Sequence, residues 1–335
     1  MSKEKAEIKK PPLLFPQTQE TILKLEEHLQ GDVLVYWVSG NSSIVGEDIV
    51  AFFEILKAKK HRKKLFVFLK SNGGNGRASL RIVNLLRQYY EDIEVLVPLN
   101  CASAATMLAL GANSMQIGPL GYLSAIDTSI THDLSPVDKD NDLVSVSQNE
   151  LNRVTALWQE QATEKDQNPY HALYQHIHPL VFGAVDRAKT LSVRLTQEIL
   201  GSHTTDQAYC DKISVQLNSD YPSHAYPITF REAQRIGLPV SAMDPELNET
   251  LLGLNNVFSE MAQLALTDYD EFNYHDNLII KFVETSGMQL YFQKDKDWHY
   301  RKEERRWVPM NDESSWRKNE MVKGKMVNTK FFINH

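Results

Sequence analysis

Two short stretches carry residues fit for acyl chemistry. In "LKSNGGNGR" the adjacent glycines Gly73 and Gly74 fall between an apolar run and a helix-spaced segment, so their amide N–H groups can turn outward with no Cβ to shield them. Outward N–H groups bind oxygen anions. In "VPLNCASAATMLALGAN" Ser103 sits among small residues at the start of another helical segment, where its hydroxyl is reachable and the helix dipole favours a developing anion. A serine at its ordinary pKa is a weak nucleophile and needs a base held by a partner. Taken alone, the glycines also read as a plain strand-to-helix turn, and Ser103 as a helix N-cap. A phosphate loop is disfavoured because "SNGGNGR" lacks the lysine and the spacing of such loops, and no G-x-S-x-G elbow is present.

Both stretches must be held by something, and the flanking sequence shows what. "DVLVYWV", "KKLFVFLK" and "IEVLVPL" read as buried strands, with amphipathic helices "GEDIVAFFEILKAKK" and "RASLRIVNLLRQYY" between them. This β-α-β-α-β alternation predicts a largely parallel sheet, whose ligand sites lie just beyond the carboxyl ends of its strands. Glycine pair and serine both fall there. Residues 1–16 read as a flexible tail, 17–250 as the main domain, and 251–335 as a helix followed by a small β-rich appendage. Between them, 147–200 is expected to be mostly helical, with "NPYHALYQHIHPLVFGAVDRAKTLSVRLTQEIL" as one long element. "ISVQLNSDYPSHAYPITFREAQRIGLPV" is expected to add an irregular strand and a short helix.

The bulk composition narrows the class. The chain has 335 residues, 42% hydrophobic and 24% charged, with a formal charge of −7, so nothing points to a nucleic-acid or membrane coat. Segment 291–330 holds 11 Lys and Arg against 7 Asp and Glu around Trp298, Trp307 and Trp316, a mixture better suited to a small solvated sheet than to single-stranded nucleic acid. Only Cys101 and Cys210 occur, which gives neither a disulfide framework nor a zinc knuckle. His171, His176 and His178 do not share a helix face, so no metal or other cofactor is expected. With neither leader nor membrane span legible, the expected location is the cytoplasm. Apolar segments such as "LYQHIHPLVFGAV" predict a homo-oligomer.

The order "LKSNGG", "VLVPLNCASAATMLALGANSMQIGPLGYLSAID" and, much later, "SHAYPITFREAQRIGLP" resembles the Clp-protease and crotonase superfamily, in particular its serine dehydrogenase proteinase group related to SppA, over roughly residues 30–243. The resemblance implies a ClpP/crotonase-like spiral of β-β-α units and a serine peptidase or acyl hydrolase acting on peptides or proteins. It implies Ser103 as nucleophile and Gly73, Gly74 and Ala104 as the oxyanion hole. His224 falls where Clp relatives carry the last triad member, and Asp127 near where they carry the histidine, so the two roles look exchanged. SppA relatives use a lysine, for which Lys139 in "SPVDKDNDLV" is the nearest match; His132 is a further loop candidate for the base. The rival class is a peptide-binding scaffold that kept the cradle and lost the base. An acyl-CoA enzyme of the crotonase type, which needs no serine, is a third reading.

Overall fold

The computed structural model describes residues 7–58, 62–161, 168–322, 324–331 and 333. The chain forms two compact units, one made of residues up to Leu123 together with those from Thr229 onward, the other of Ser124–Ile228.

The first unit opens with α1 (Phe15–Leu29), β1 (Asp32–Val38), α2 (Asp48–Lys57), β2 (Lys64–Lys70), α3 (Gly76–Arg87) and β3 (Asp92–Val97). It continues through β4 (Asn100–Cys101), α4 (Ala104–Ala109), β5 (Ser114–Ile117) and β6 (Tyr122–Ser124). Every residue of β1 is buried, as expected of an apolar run with helices on both sides in sequence. β1, β2, β3 and β5 pair in parallel, each with the next.

The second unit holds β7 (Ser129–Ile130), β8 (Val146–Ser147), α5 (Gln148–Gln161), α6 (Pro169–Leu173), α7 (Pro179–Leu200), α8 (Gln207–Ser219) and β9 (Pro227–Ile228). Two expectations change here. The long element around "YQHIHP" is divided, because Pro179 occupies the first turn of α7 and His178 caps it, its Nδ1 accepting from the Leu180 N–H at 3.2 Å. "ISVQLNS" is helix, not strand: Cys210, Ile213 and Leu217 bury one face of α8, and Asp206 caps it through the Tyr209 N–H at 3.0 Å.

The first unit resumes with α9 (Phe230–Ile236), β10 (Val240–Ala242) and α10 (Pro245–Met261). Strands β11 (Ala265–Asp270), β12 (Asn273–Thr285), β13 (Met288–Arg301), β14 (Arg306–Asp312), β15 (Ser315–Val322) and β16 (Lys325–Phe331) follow. The C-terminal β-rich region is continuous with the main sheet. β12 lies antiparallel against β1, from Leu34 opposite Thr285 to Val38 opposite Lys281, giving the order β10-β5-β3-β2-β1-β12-β13-β15-β16. α1 and α10 cover one face of this sheet, burying Ile22, Leu25, Leu251 and Phe258 against Val35, Trp37 and Phe282. Lys9 lies beside β11, its N–H donating to Thr267 Oγ1 at 2.9 Å.

Glu284 on β12 is fully buried and accepts from Thr18 Oγ1, Gln19 Nε2 and Gln289 Nε2. All three donors are neutral, so burial prevails and pushes the carboxyl from 4.5 up to about 7. Between those values the unfolded chain has released its proton while the folded chain keeps it, so stability falls as pH rises, by about 3 kcal/mol in all. The expected result is that the stability of wild type relative to Glu284→Gln, measured by urea unfolding, drops by that amount between pH ~4.5 and ~7.5. A pH-independent difference would contradict it.

Candidate active site

The nucleophile's setting begins with a strained backbone. Ser103 has φ 53° and ψ −120°, a conformation that L side chains rarely adopt and that costs ~1–3 kcal/mol. Its surroundings enforce it. The Thr106 hydroxyl donates to the Cys101 carbonyl at 2.8 Å, the Ala105 N–H to the Ala102 carbonyl at 2.9 Å, and the Ser79 hydroxyl to the Ala104 carbonyl at 2.7 Å. Those bonds clamp the β4–α4 corner on both sides of Ser103. Small residues at 102, 104 and 105 leave room for this, and Ser103 itself is half-buried. Ala104 is the first residue of α4, so its N–H has no acceptor within its own helix. Cys101 is fully buried and burial pushes its thiol well up, so the thiol two residues away is no rival nucleophile.

Gly73 and Gly74 have φ values of 106° and 142°, and close contacts exclude a side chain at either. A Cβ on Gly73 would lie 2.6 Å from Ser103 Cβ and 3.1 Å from the Ala104 nitrogen; one on Gly74 would lie 2.4 Å from the Ile44 carbonyl oxygen. The loop before α2 therefore packs directly on the glycine strand. The Ile44 N–H donates to the Gly73 carbonyl at 2.8 Å, and the Ile44 carbonyl accepts from the Asn75 N–H at 2.9 Å. Since carbonyl and N–H point opposite ways across a trans peptide, the Gly74 N–H is turned away from Ile44. Gly73 differs from expectation: its N–H, expected to face outward, donates to Ser71 Oγ at 3.0 Å. Ile44 gives no signal in the sequence, because its part is played by main chain, which leaves no mark on residue type.

In the second unit, Asp127 and His224, 97 positions apart, are joined by a 2.8 Å bond between Asp127 Oδ1 and His224 Nδ1. A carboxylate only accepts, so Nδ1 carries the hydrogen and Nε2 is the ring's acceptor in the neutral state. Bonds from the Ile126 N–H to the Leu217 carbonyl at 3.0 Å and from Ser192 Oγ to the Ile126 carbonyl at 3.0 Å fix the residue before Asp127. The hydrogen bond that His224 donates to Asp127 raises the His224 pKa above 6.5, with burial working against it.

The other candidates are placed differently. The Lys139 side chain is 90% exposed and its ammonium lies 4.0 Å from Asp140, whereas a catalytic lysine must be desolvated to shed its proton. His132 uses Nδ1 to accept from the Leu134 N–H at 3.1 Å within its own turn. Among the described residues no group of three or more His, Cys, Asp or Glu is placed to hold a metal. Nor is any described helix long and apolar enough to cross a membrane. The C-terminal aromatics pair with one another, Tyr274 with Trp307 at 4.7 Å and Phe292 with Trp316 at 5.8 Å.

The parallel sheet of β1, β2, β3 and β5, with a glycine pair after β2 and a strained serine after β4, is consistent with a ClpP-like fold. Residues 17–177 match the model of the Clp protease family. No curated protein gives a significant match. Among solved structures, a serine-to-alanine mutant of the 1510-N membrane-bound stomatin-specific protease shares 15% identity, with 67% of this chain and 82% of that chain covered and a TM-score of 0.34. A lysine-to-alanine mutant of the same protease, in complex with a substrate peptide, shares 14% identity over 64% of this chain and 94% of that one, with a TM-score of 0.26.

Proposed function

We propose that the chain is a serine peptidase, or a related acyl hydrolase, of the serine dehydrogenase proteinase type. The family match supports the peptidase class. The observation that carries the reading is the strained φ of 53° at Ser103, with Gly73 packed against its Cβ. Strain of that kind is kept where a side chain must be held for chemistry.

In this mechanism Ser103 Oγ attacks the substrate carbonyl while its proton passes to His224 Nε2, and Asp127 steadies the imidazolium through Nδ1. The carbonyl electrons move to oxygen, where the Gly74 and Ala104 N–H groups receive the charge. His224 then returns the proton to the leaving amine, the C–N bond breaks, and water releases the acyl group by the reverse sequence. Gly73 acts through its lack of a side chain. No cofactor enters these steps.

The natural substrate in this proposal is a peptide or protein, and the enzyme works as a cytoplasmic homo-oligomer. Its two cysteines are free and buried, which suits a reducing compartment, and Leu157 and Leu180 lie 56% and 61% exposed on its helices. The test is a fluorophosphonate probe, which needs an activated serine. The expected result is a single adduct that peptide mapping assigns to Ser103; a protein that stays unlabelled at millimolar probe would be a scaffold instead.

A further inference from the structure

The C-terminal strand β12 reaches into the loop that backs the glycine pair. Lys281, 4% exposed, directs its ammonium to both carboxylate oxygens of Asp48, at 2.9 and 3.1 Å, and to the Ser43 carbonyl at 2.8 Å. Asp48, fully buried, also accepts from the Val45 N–H at 2.8 Å and from the Tyr36 hydroxyl. Residues 43 and 45 are thus gripped on either side of Ile44, the residue whose main chain holds Gly73 and Asn75. Ser42, Ser43 and Val45 border a cleft of about 1030 Å³, whereas the Ile44 side chain between them is buried in the core.

A buried ion pair is a weak source of stability, and apolar groups of the same volume often replace it without loss. Its value here is geometric. We infer that Lys281 and Asp48 are positioning residues that set the Gly73–Gly74 peptide through Ile44, so that a strand outside the family-matched region determines where the oxyanion donor points. The inference rests on the proposed hydrolase reading for its catalytic consequence, although the mechanical link from Lys281 to Gly74 stands apart from it.

Lys281→Met alone strands a buried carboxylate and risks unfolding, so the informative protein is Lys281→Met/Asp48→Asn, which removes both charges while keeping an acceptor for Val45 and Tyr36. Two measurements are made on it beside wild type. The first is the saturable rate of fluorophosphonate labelling, which is expected to fall about tenfold at unchanged half-saturating probe, since small misplacements of catalytic groups cost up to ~100-fold. The second is amide hydrogen exchange, expected to quicken about tenfold at Ile44 and Asn75 and to stay unchanged at Val35 and Leu69 in the neighbouring strands. Labelling at the wild-type rate with unaltered exchange overturns the inference, and so does a uniform rise in exchange across β1 and β2, which would mark a general buttress. If wild type itself takes no probe, the hydrolase reading fails and the exchange pattern alone decides the link.

Discussion

Ser103→Ala is expected to abolish fluorophosphonate labelling and lower peptide hydrolysis by ~10⁴–10⁶-fold, because no other group in the proposed site can form the acyl bond. Its unfolding midpoint should stay near that of wild type, since alanine keeps the backbone and the β4–α4 clamps intact. Ser103→Gly should be equally inactive yet more stable. Glycine relieves the strain at φ 53°, worth ~1–3 kcal/mol, and gives back ~0.5–1 kcal/mol through the freer unfolded chain, for a net gain of about 1 kcal/mol. Activity and stability thus move in opposite directions at one position. Undiminished labelling of Ser103→Ala would remove the nucleophile assignment, and a glycine variant less stable than the alanine one would refute the strain.

The base is expected to declare itself in the pH profile. His224 must be neutral to accept a proton, and its bond to Asp127 raises its pKa, so kcat/KM should climb with pH through a midpoint above 6.5 and then level off. Asp127→Asn should move that midpoint down toward ~6.5 and cost ~10²–10⁴-fold in rate, with a similar loss for His224→Ala. Lys139→Ala, at a side chain 90% exposed, should change the rate less than about twofold. Stability runs the other way. A histidine raised by a carboxylate lends the folded state its full contribution below the unfolded value and loses it as pH passes the folded one, so the pair stabilises least where the enzyme works best. The His224 ring is half exposed, and solvent keeps this stability effect small. A midpoint that stays put in Asp127→Asn would rule out His224 as the titrating base.

Much of the first unit is legible in the sequence because its local signals agree. "DVLVYWV" and "KKLFVFLK" are apolar runs of strand length bounded by turns, and the structure has β1 and β2 there. The small-residue run around Ser103 and the glycine pair ahead of α3 fall at neighbouring strand ends, where a parallel sheet puts its ligands. Other features have no local signature. Capture of the Gly73 N–H by Ser71, and the grip of Ile44 on the same peptide, depend on how chain segments meet. Asp48 does leave a trace, since it shares a helix face with the buried Phe52 and Ile55, and so does Lys281 in the middle of "LIIKFV". Each charged residue on a core face calls for a partner, but 233 positions separate the two, and neither names the other. "ISVQLNS" reads as strand because β-branched residues favour strands locally, whereas tertiary burial of Cys210, Ile213 and Leu217 decides for helix.

The junction between β1 and β12 also bears on how the protein is made. Thr285 bonds to the Val33 carbonyl across 252 positions, so β1 waits for its second neighbour until about 250 further residues have been made. At ~5–20 residues per second the delay is about 10–50 s. Throughout it the nascent chain carries an apolar strand with one open row of N–H and C=O groups, an edge ready to pair with any other extended segment. A polypeptide cut after residue 177 would never close that edge, because the family-matched region lacks the strand that covers it. Synthesis of the full chain is therefore a race between late sheet closure and aggregation, and the slow step is the arrival of β12.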